Sequence, residues 1–351
     1  MLIFAGALTF VGFLRLLTLN PEKENIKSYA IISGLVFFLI GALRNITFLF
    51  DTVGYVDRYL AIPYRTLGEL WSNSYRNVGK DPFFYFFAKI ISMLGIGYQG
   101  WLAILIGIFC IAMFYVIYKY SDEAFLSIVV FVSLGYFTFG LTGLRQSLAF
   151  SFILFSYQYL RERKLYPFLV LIFFAAIFHS SSLIFVIAYP IANMKINWKQ
   201  VSGVSAAIVI SYFFAGFFRR IVSTLGWTDI IKGYAEREIT LSIAGFLIQL
   251  VILLFCLYYK KNVLEKDEKD IVLYNLLFLG LTFQGFAIVI AEMFRVSMYF
   301  SIFSIILIPK AIMSEKDGKT KQMIYFFVFL ALVLYLFYQK TGAGYTFFWQ
   351  H

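Results

Sequence analysis

Arg145 and His179 are ionisable side chains set within long apolar stretches. Gly143-Leu144-Arg145-Gln146 opens one stretch, and Phe178-His179-Ser180-Ser181-Ser182-Leu183 interrupts another. The only other histidine, His351, is the last residue. An ionisable group inside a membrane segment costs about 2.5–3.5 kcal/mol on insertion scales, so it is a functional candidate whose partner should be sought. The two residue types suit anion binding and proton transfer. Arginine stays charged and offers a planar fork that matches phosphate oxygens. An imidazole can take a proton from a hydroxyl nucleophile.

Further charged residues fall at the ends of apolar stretches: Arg44, Asp51, Asp81, Arg219, Arg220, Glu292 and Arg295. Arg44, Arg145 and Arg295, with Arg219 or Arg220, can hold a diphosphate at a membrane surface. Each candidate also has a plainer explanation. His179 beside three serines suits a satisfied polar cluster at a helix break. Arg44 can snorkel to headgroups. Glu292 and Arg295 are spaced to pair with each other on a helix. Asp81-Pro82 suits a helix start with proline at its first position. The tyrosines and tryptophan at 55, 59, 64, 71 and 75 suit either sugar stacking or an interfacial belt. No His/Cys spacing or Asp-x-Asp pair points to a metal, so leaving-group charge falls to arginine.

Apolar helices must position these groups. The chain has 351 residues, is 61% hydrophobic and has a mean hydropathy of +0.82, against about 45–50% apolar in a soluble domain. The alternating polarity of a membrane barrel is absent, which leaves helices as the spanning element. The expected fold is all-α and polytopic, one domain over 1–351 with about 10–12 membrane segments. Met1 to Leu19 reads as a retained helix. The net charge of +11 marks cytoplasmic loops and contact with membrane lipids rather than nucleic acid, because no basic soluble domain is present. Cys110 and Cys256 lie inside apolar runs and read as packing residues.

Three short basic loops set the orientation: Arg161/Arg163/Lys164, Lys260/Lys261/Lys266/Lys269 and Lys316/Lys319/Lys321. All three are expected on the cytoplasmic side. The apolar stretch 165–191 is long for one crossing, and His179-Ser180-Ser181-Ser182 sits in its middle. A hairpin that rises over 165–178 and returns over 180–191 keeps every basic loop inside, together with Lys195 and Lys199. His179 is then its outer apex. By the same parity 83–98 does not simply cross. Outer loops are expected at about 45–99 and 219–240. The charged candidates then share one depth near the outer face.

The run Gly143-Leu144-Arg145-Gln146-Ser147-Leu148-Ala149, then Tyr159-Leu160, Arg163-Lys164 and Ala175-Ala176-Ile177-Phe178-His179-Ser180-Ser181-Ser182-Leu183, resembles the EpsG family of Wzy-type polysaccharide polymerases. Arg44 followed by Asp51, Asp81-Pro82-Phe83-Phe84-Tyr85, and Arg295 with Tyr299-Phe300 extend the match. The family's Gly-x-Asp after the first arginine is not kept: Phe50 precedes Asp51. The resemblance implies a GT-C-like bacterial inner-membrane enzyme with its active site facing the periplasm or cell exterior. It would polymerise undecaprenyl-diphosphate-linked oligosaccharide units for O-antigen, capsule or exopolysaccharide, without a cofactor. His179, Arg145 and Asp51 would be catalytic. Arg44, Asp81, Gln146, Arg219, Arg220, Arg295 and Tyr299 would bind substrate, and a chain-length regulator would be a partner. An O-antigen ligase, a flippase for the same lipid-linked unit and a membrane O-acyltransferase remain as alternatives.

Overall fold

The structure, a computed structural model, describes residues 2–18, 23–48, 50–71, 81–224, 235–287, 292–339 and 344–350, with the backbone alone for 23, 24, 50, 211, 212, 214–224 and 235–242. The elements are helices. In order they are α1 (Leu2–Leu17), α2 (Lys23–Ala42), α3 (Phe50–Ala61), α4 (Leu67–Trp71) and α5 (Pro82–Met93). Next come α6 (Tyr98–Tyr120), α7 (Ala124–Ser133), α8 (Tyr136–Thr142), α9 (Leu144–Arg161) and α10 (Leu165–Phe178). A 3₁₀ stretch at Ser180–Ile187 leads to α11 (Ala188–Ala192), α12 (Trp198–Thr224) and α13 (Ala235–Tyr258). The chain closes with α14 (Lys260–Lys266), α15 (Ile271–Ala287), α16 (Met293–Ser301), α17 (Ser304–Met313) and α18 (Gly318–Tyr338).

The protein is thus an all-α polytopic membrane protein. Four described helices are long and apolar enough to cross a bilayer, and seven if each bent pair forms one span. The larger number of segments expected from apolar runs includes helices that are broken or short. The α7–α8 pair bends by 55° at Gly135, whose φ of +80° ends α7 in the left-handed region open to glycine. α5 has 12 residues, about 18 Å of helix, too short to cross a core of about 30 Å.

The described residues gather into two compact units: 1–157, 166–183 and 318–351, and 158–165 with 184–317. In the first, α2 packs on α6 where glycine admits close approach. A Cβ on Gly41 would lie 2.5 Å from Ile106 Cγ1. Rings of Phe37, Phe114, Phe131 and Phe137 fill the space beside it. Glu123 caps α7 and also ties in α1 and α18, accepting from Arg15 Nε (3.1 Å) and Tyr325 OH (3.3 Å).

In the second unit α15 packs against α11, α12, α13 and α16. Asn275 on α15 donates to the carbonyls of Ala192 (2.9 Å) and Met194 (2.8 Å). At one end Arg161 bonds Asp267 and Asp270, and Lys310 reaches Asp270 at 3.0 Å. Lys266 reaches the Met313 carbonyl at 2.8 Å and Lys316 meets Glu265 at 3.2 Å. Loops from all three expected basic regions therefore meet at a single end of this unit.

The stretch after His179 returns to the same end. Tyr189 OH donates to the Arg163 carbonyl at 2.7 Å, and Asn193 Nδ2 to the Leu160 carbonyl at 3.1 Å. α10 has 14 residues, about 21 Å of helix, which carries the apex into the far half of a core of about 30 Å without a full crossing, and its partner limb comes back to where it began. The hairpin expected over 165–191 is present, and α10 ends at Phe178 beside its apex. Single cysteines in place of Lys195, Lys261 and Lys316 should react with an impermeant maleimide from the same membrane face, and one in place of Ser181 from the opposite face. Labelling of Ser181→Cys and Lys261→Cys from the same face would contradict the hairpin.

Candidate functional site

Asp81, Arg145 and His179 meet in the first unit. Asp81 is 2% exposed and its carboxylate is shared. Oδ2 accepts from Arg145 Nη1 at 2.9 Å and lies 3.0 Å from His179 Nδ1. Oδ1 accepts from the Ser180 backbone N–H at 2.9 Å. A carboxylate has only lone pairs to offer, so Nδ1 carries the proton and donates. That leaves the lone pair on Nε2, which has no hydrogen-bond partner among the described residues.

Each group is placed by a local break in a helix. Pro82 sits at the first position of α5, where a missing N–H costs nothing. Asp81 precedes it at φ −145° and ψ 70°, outside the helical region, and makes no side-chain cap. Its carboxylate is therefore free to face His179. Gly143 separates α8 from α9, which puts Arg145 in the first turn of α9. The helix dipole opposes a cation there, and Asp81 balances it. His179 follows the last turn of α10, its N–H bonded to the Ala175 carbonyl at 2.9 Å, while its own carbonyl starts the 3₁₀ turn through Ser182 N. The neighbouring Phe178 ring stacks on Phe152 of α9 at 5.8 Å and meets Phe87 of α5 edge-on at 5.9 Å. One apolar contact thus locks all three elements beneath the polar centre.

Burial opposes charge on Asp81. The bonds from His179 and Ser180, with the charge of Arg145 and that of His179 whenever its ring is protonated, outweigh it and hold the carboxyl below its usual range. Asp81 is therefore ionised at neutral pH.

Residues not singled out individually from sequence complete the site. Arg145 Nε donates to Tyr55 OH at 3.3 Å, and its guanidinium carbon lies 6.0 Å from the Tyr55 ring centre. Arg58, three residues further along α3, donates from Nη1 to Tyr85 OH at 3.2 Å. Tyr85 is four residues after Asp81. A search for neighbours at helical spacing of three and four around Asp81 and Tyr55 would have found both Tyr85 and Arg58.

Of the other expected site residues, Arg44 and Asp51 make no hydrogen bond to this centre among the described residues. Arg44 is fully buried and turned inward, donating to the carbonyls of Gly41 and, at 2.9 Å, Leu141. The C-terminal segment runs over it: Asn45 N donates to the Thr346 carbonyl at 2.8 Å and Phe348 N to the Leu43 carbonyl at 2.9 Å. Arg44 so placed holds backbone carbonyls at the ends of α2 and α8. Asp51 is exposed in the first turn of α3, where the helix dipole favours an acid. Gln146 is buried next to Arg145. Arg295 and the buried Tyr299 belong to α16 in the second unit. The side chains of Arg219 and Arg220 lie outside the described residues. Among the described residues no three His, Cys, Asp or Glu side chains gather as a metal site.

Fold and site define a polytopic helical membrane protein with a buried Asp–Arg–His centre. A family model matches residues 27–351, and the chain belongs to the EpsG family, a Wzy-like family of polysaccharide polymerases. It is accordingly a membrane enzyme of the polymerase type. No curated protein and no solved structure matches it.

Asp81→Asn should lower the melting temperature at neutral pH, because it leaves Arg145 largely buried without its counter-charge, a loss of about 3–5 kcal/mol for a broken buried pair. The carboxylate's contribution is complete above about pH 4, the ordinary aspartate value, and disappears as the pH falls through the lower folded value. The gap between parent and Asp81→Asn melting curves should therefore close below that pH. A gap independent of pH would mean that the charge is not what stabilises the site.

Proposed function

We propose that this protein polymerises undecaprenyl-diphosphate-linked oligosaccharide repeat units on the outer face of the bacterial cytoplasmic membrane, with the whole chain acting as one polymerase domain. A hydroxyl on the non-reducing end of the incoming unit attacks the anomeric carbon of the growing, lipid-linked glycan. The new glycosidic bond forms as the bond from that carbon to the diphosphate oxygen breaks. The lipid diphosphate leaves with the electron pair, and the hydroxyl proton passes to a base.

The observation that supports this most directly is the 3.0 Å contact between Asp81 Oδ2 and His179 Nδ1. It leaves Nε2 unprotonated on a partly exposed ring. Asp81 then stabilises the imidazolium as it forms, as a carboxylate does in hydrolase triads. We assign the carboxylate role to Asp81 rather than to Asp51. Arg145 lies on the other side of the same carboxylate and is the first candidate to hold the leaving diphosphate. Arg295, Tyr299, Gln146 and the arginines at 219 and 220 are further candidates for binding the lipid-linked substrates. The basic end of the second unit is assigned to the cytoplasm, which puts the hairpin apex outside. A chain-length regulator is the expected protein partner.

The test is polymer formation by reconstituted protein given a lipid-diphosphate-linked repeat unit. General-base catalysis contributes about 10²–10⁴-fold in rate, so folded His179→Ala and His179→Gln should both lose polymer to that extent. Glutamine keeps a hydrogen bond and gives up proton transfer, so a normal rate in His179→Gln would remove the base. Arg145→Lys retains charge and loses the fork, and should raise KM for the donor. Unchanged kinetics in Arg145→Lys would take the fork out of the account.

A further inference from the structure

The hydrogen-bonding capacity left over at this centre is almost all of one kind. Both Asp81 oxygens are engaged, Oδ2 twice and Oδ1 once. Arg145 uses Nε and Nη1 and leaves Nη2 unspent, while Arg58 uses Nη1 and leaves Nε and Nη2 unspent, among the described residues. Tyr55 and Tyr85 each accept from a guanidinium; Tyr55 is half-buried and retains its own O–H to donate, while Tyr85 is buried and orients Arg58. The charges of both guanidiniums act on the buried Tyr85 phenol. His179 Nε2 is the remaining acceptor.

This composition selects the ligand. A sugar hydroxyl both donates and accepts, and a pocket of donors leaves its protons without partners, which is costly when buried. Phosphate oxygens only accept and carry the opposite charge. Arg58 and Tyr85 come from α3 and α5, Arg145 and Tyr55 from α9 and α3. The donors therefore form two arginine–tyrosine pairs that share α3.

We infer that Arg58, held in place by the buried Tyr85, receives one phosphoryl group of a polyprenyl diphosphate, while Arg145 with Tyr55 receives the other. This rests on the lipid-diphosphate reading above and adds what that reading lacks, a second arm that distinguishes a diphosphate from a monophosphate.

The experiment measures binding of farnesyl diphosphate and farnesyl monophosphate to the full-length protein in nanodiscs. The parent should prefer the diphosphate. A charge-assisted hydrogen bond contributes enough that Arg58→Gln should weaken diphosphate binding about 10–100-fold and leave the monophosphate unchanged. Tyr85→Phe, which keeps both guanidiniums, should reduce the same preference to a smaller degree, and it decides the matter if Arg58→Gln does not fold. An unchanged preference in Arg58→Gln or in Tyr85→Phe, or equal loss of both ligands in a folded Arg58→Gln, would overturn the second arm while leaving the lipid-diphosphate donor intact. A parent that binds neither ligand would overturn the donor reading itself, and this inference with it.

Discussion

One buried carboxylate organises the site. Taking Asp81 out of water costs several kcal/mol before compensation, and it persists because its oxygens receive Arg145, His179 and the Ser180 N–H together. Those partners come from the start of α9 and the apex after α10, while Asp81 itself precedes α5. The three segments are far apart in sequence. The carboxylate thus acts as the joint at which three helix breaks meet. It also sets the tautomer of His179, and the direction of the Nε2 lone pair follows from that.

The surrounding apolar structure keeps the joint from relaxing. Tyr59, Phe84, Tyr85, Trp101, Leu144 and Leu148 form part of a continuous buried cluster under the polar groups. Tyr59 stacks on Trp101 at 4.7 Å and donates to the Ile96 carbonyl. Lys89 gathers the carbonyls of Ile62, Pro63 and Arg65 at 3.1, 2.9 and 3.0 Å, closing the turn after α3. The inward Arg44 does similar work beyond the end of α2, where carbonyls lose their helical partners. A charged side chain is used there because no water reaches those carbonyls, and the segment 345–350 seals it from above.

Much of this architecture was legible. The long apolar stretch interrupted by His179-Ser180-Ser181-Ser182, with basic loops on both flanks, required a hairpin, because a single crossing would have put one basic loop on the wrong side. The chemical types at the centre, an arginine and a histidine, stood out against apolar neighbours. The identity of the histidine's partner did not. Asp81 lies 98 residues from His179, and an Asp-Pro pair before an apolar helix looks like a cap until its geometry shows the carboxylate elsewhere. The burial of Arg44 was hidden for a different reason. A charged residue at a helix end beside a tyrosine-rich segment has the appearance of a site. What buries it is a contact with Phe347 and its neighbours near the other end of the chain, which local patterns cannot register.

The most direct test of the account is the tautomer of His179. With only two histidines in the chain, nitrogen NMR of ¹⁵N-histidine-labelled protein in lipid can resolve each ring, and His179→Gln assigns them. At alkaline pH, where an imidazole is neutral, His179 should carry its proton on Nδ1 with Nε2 bare, and Asp81→Asn should abolish that preference. A ring protonated on Nε2 in the parent, or one indifferent to Asp81→Asn, would contradict the claim that this carboxylate prepares the histidine as a base.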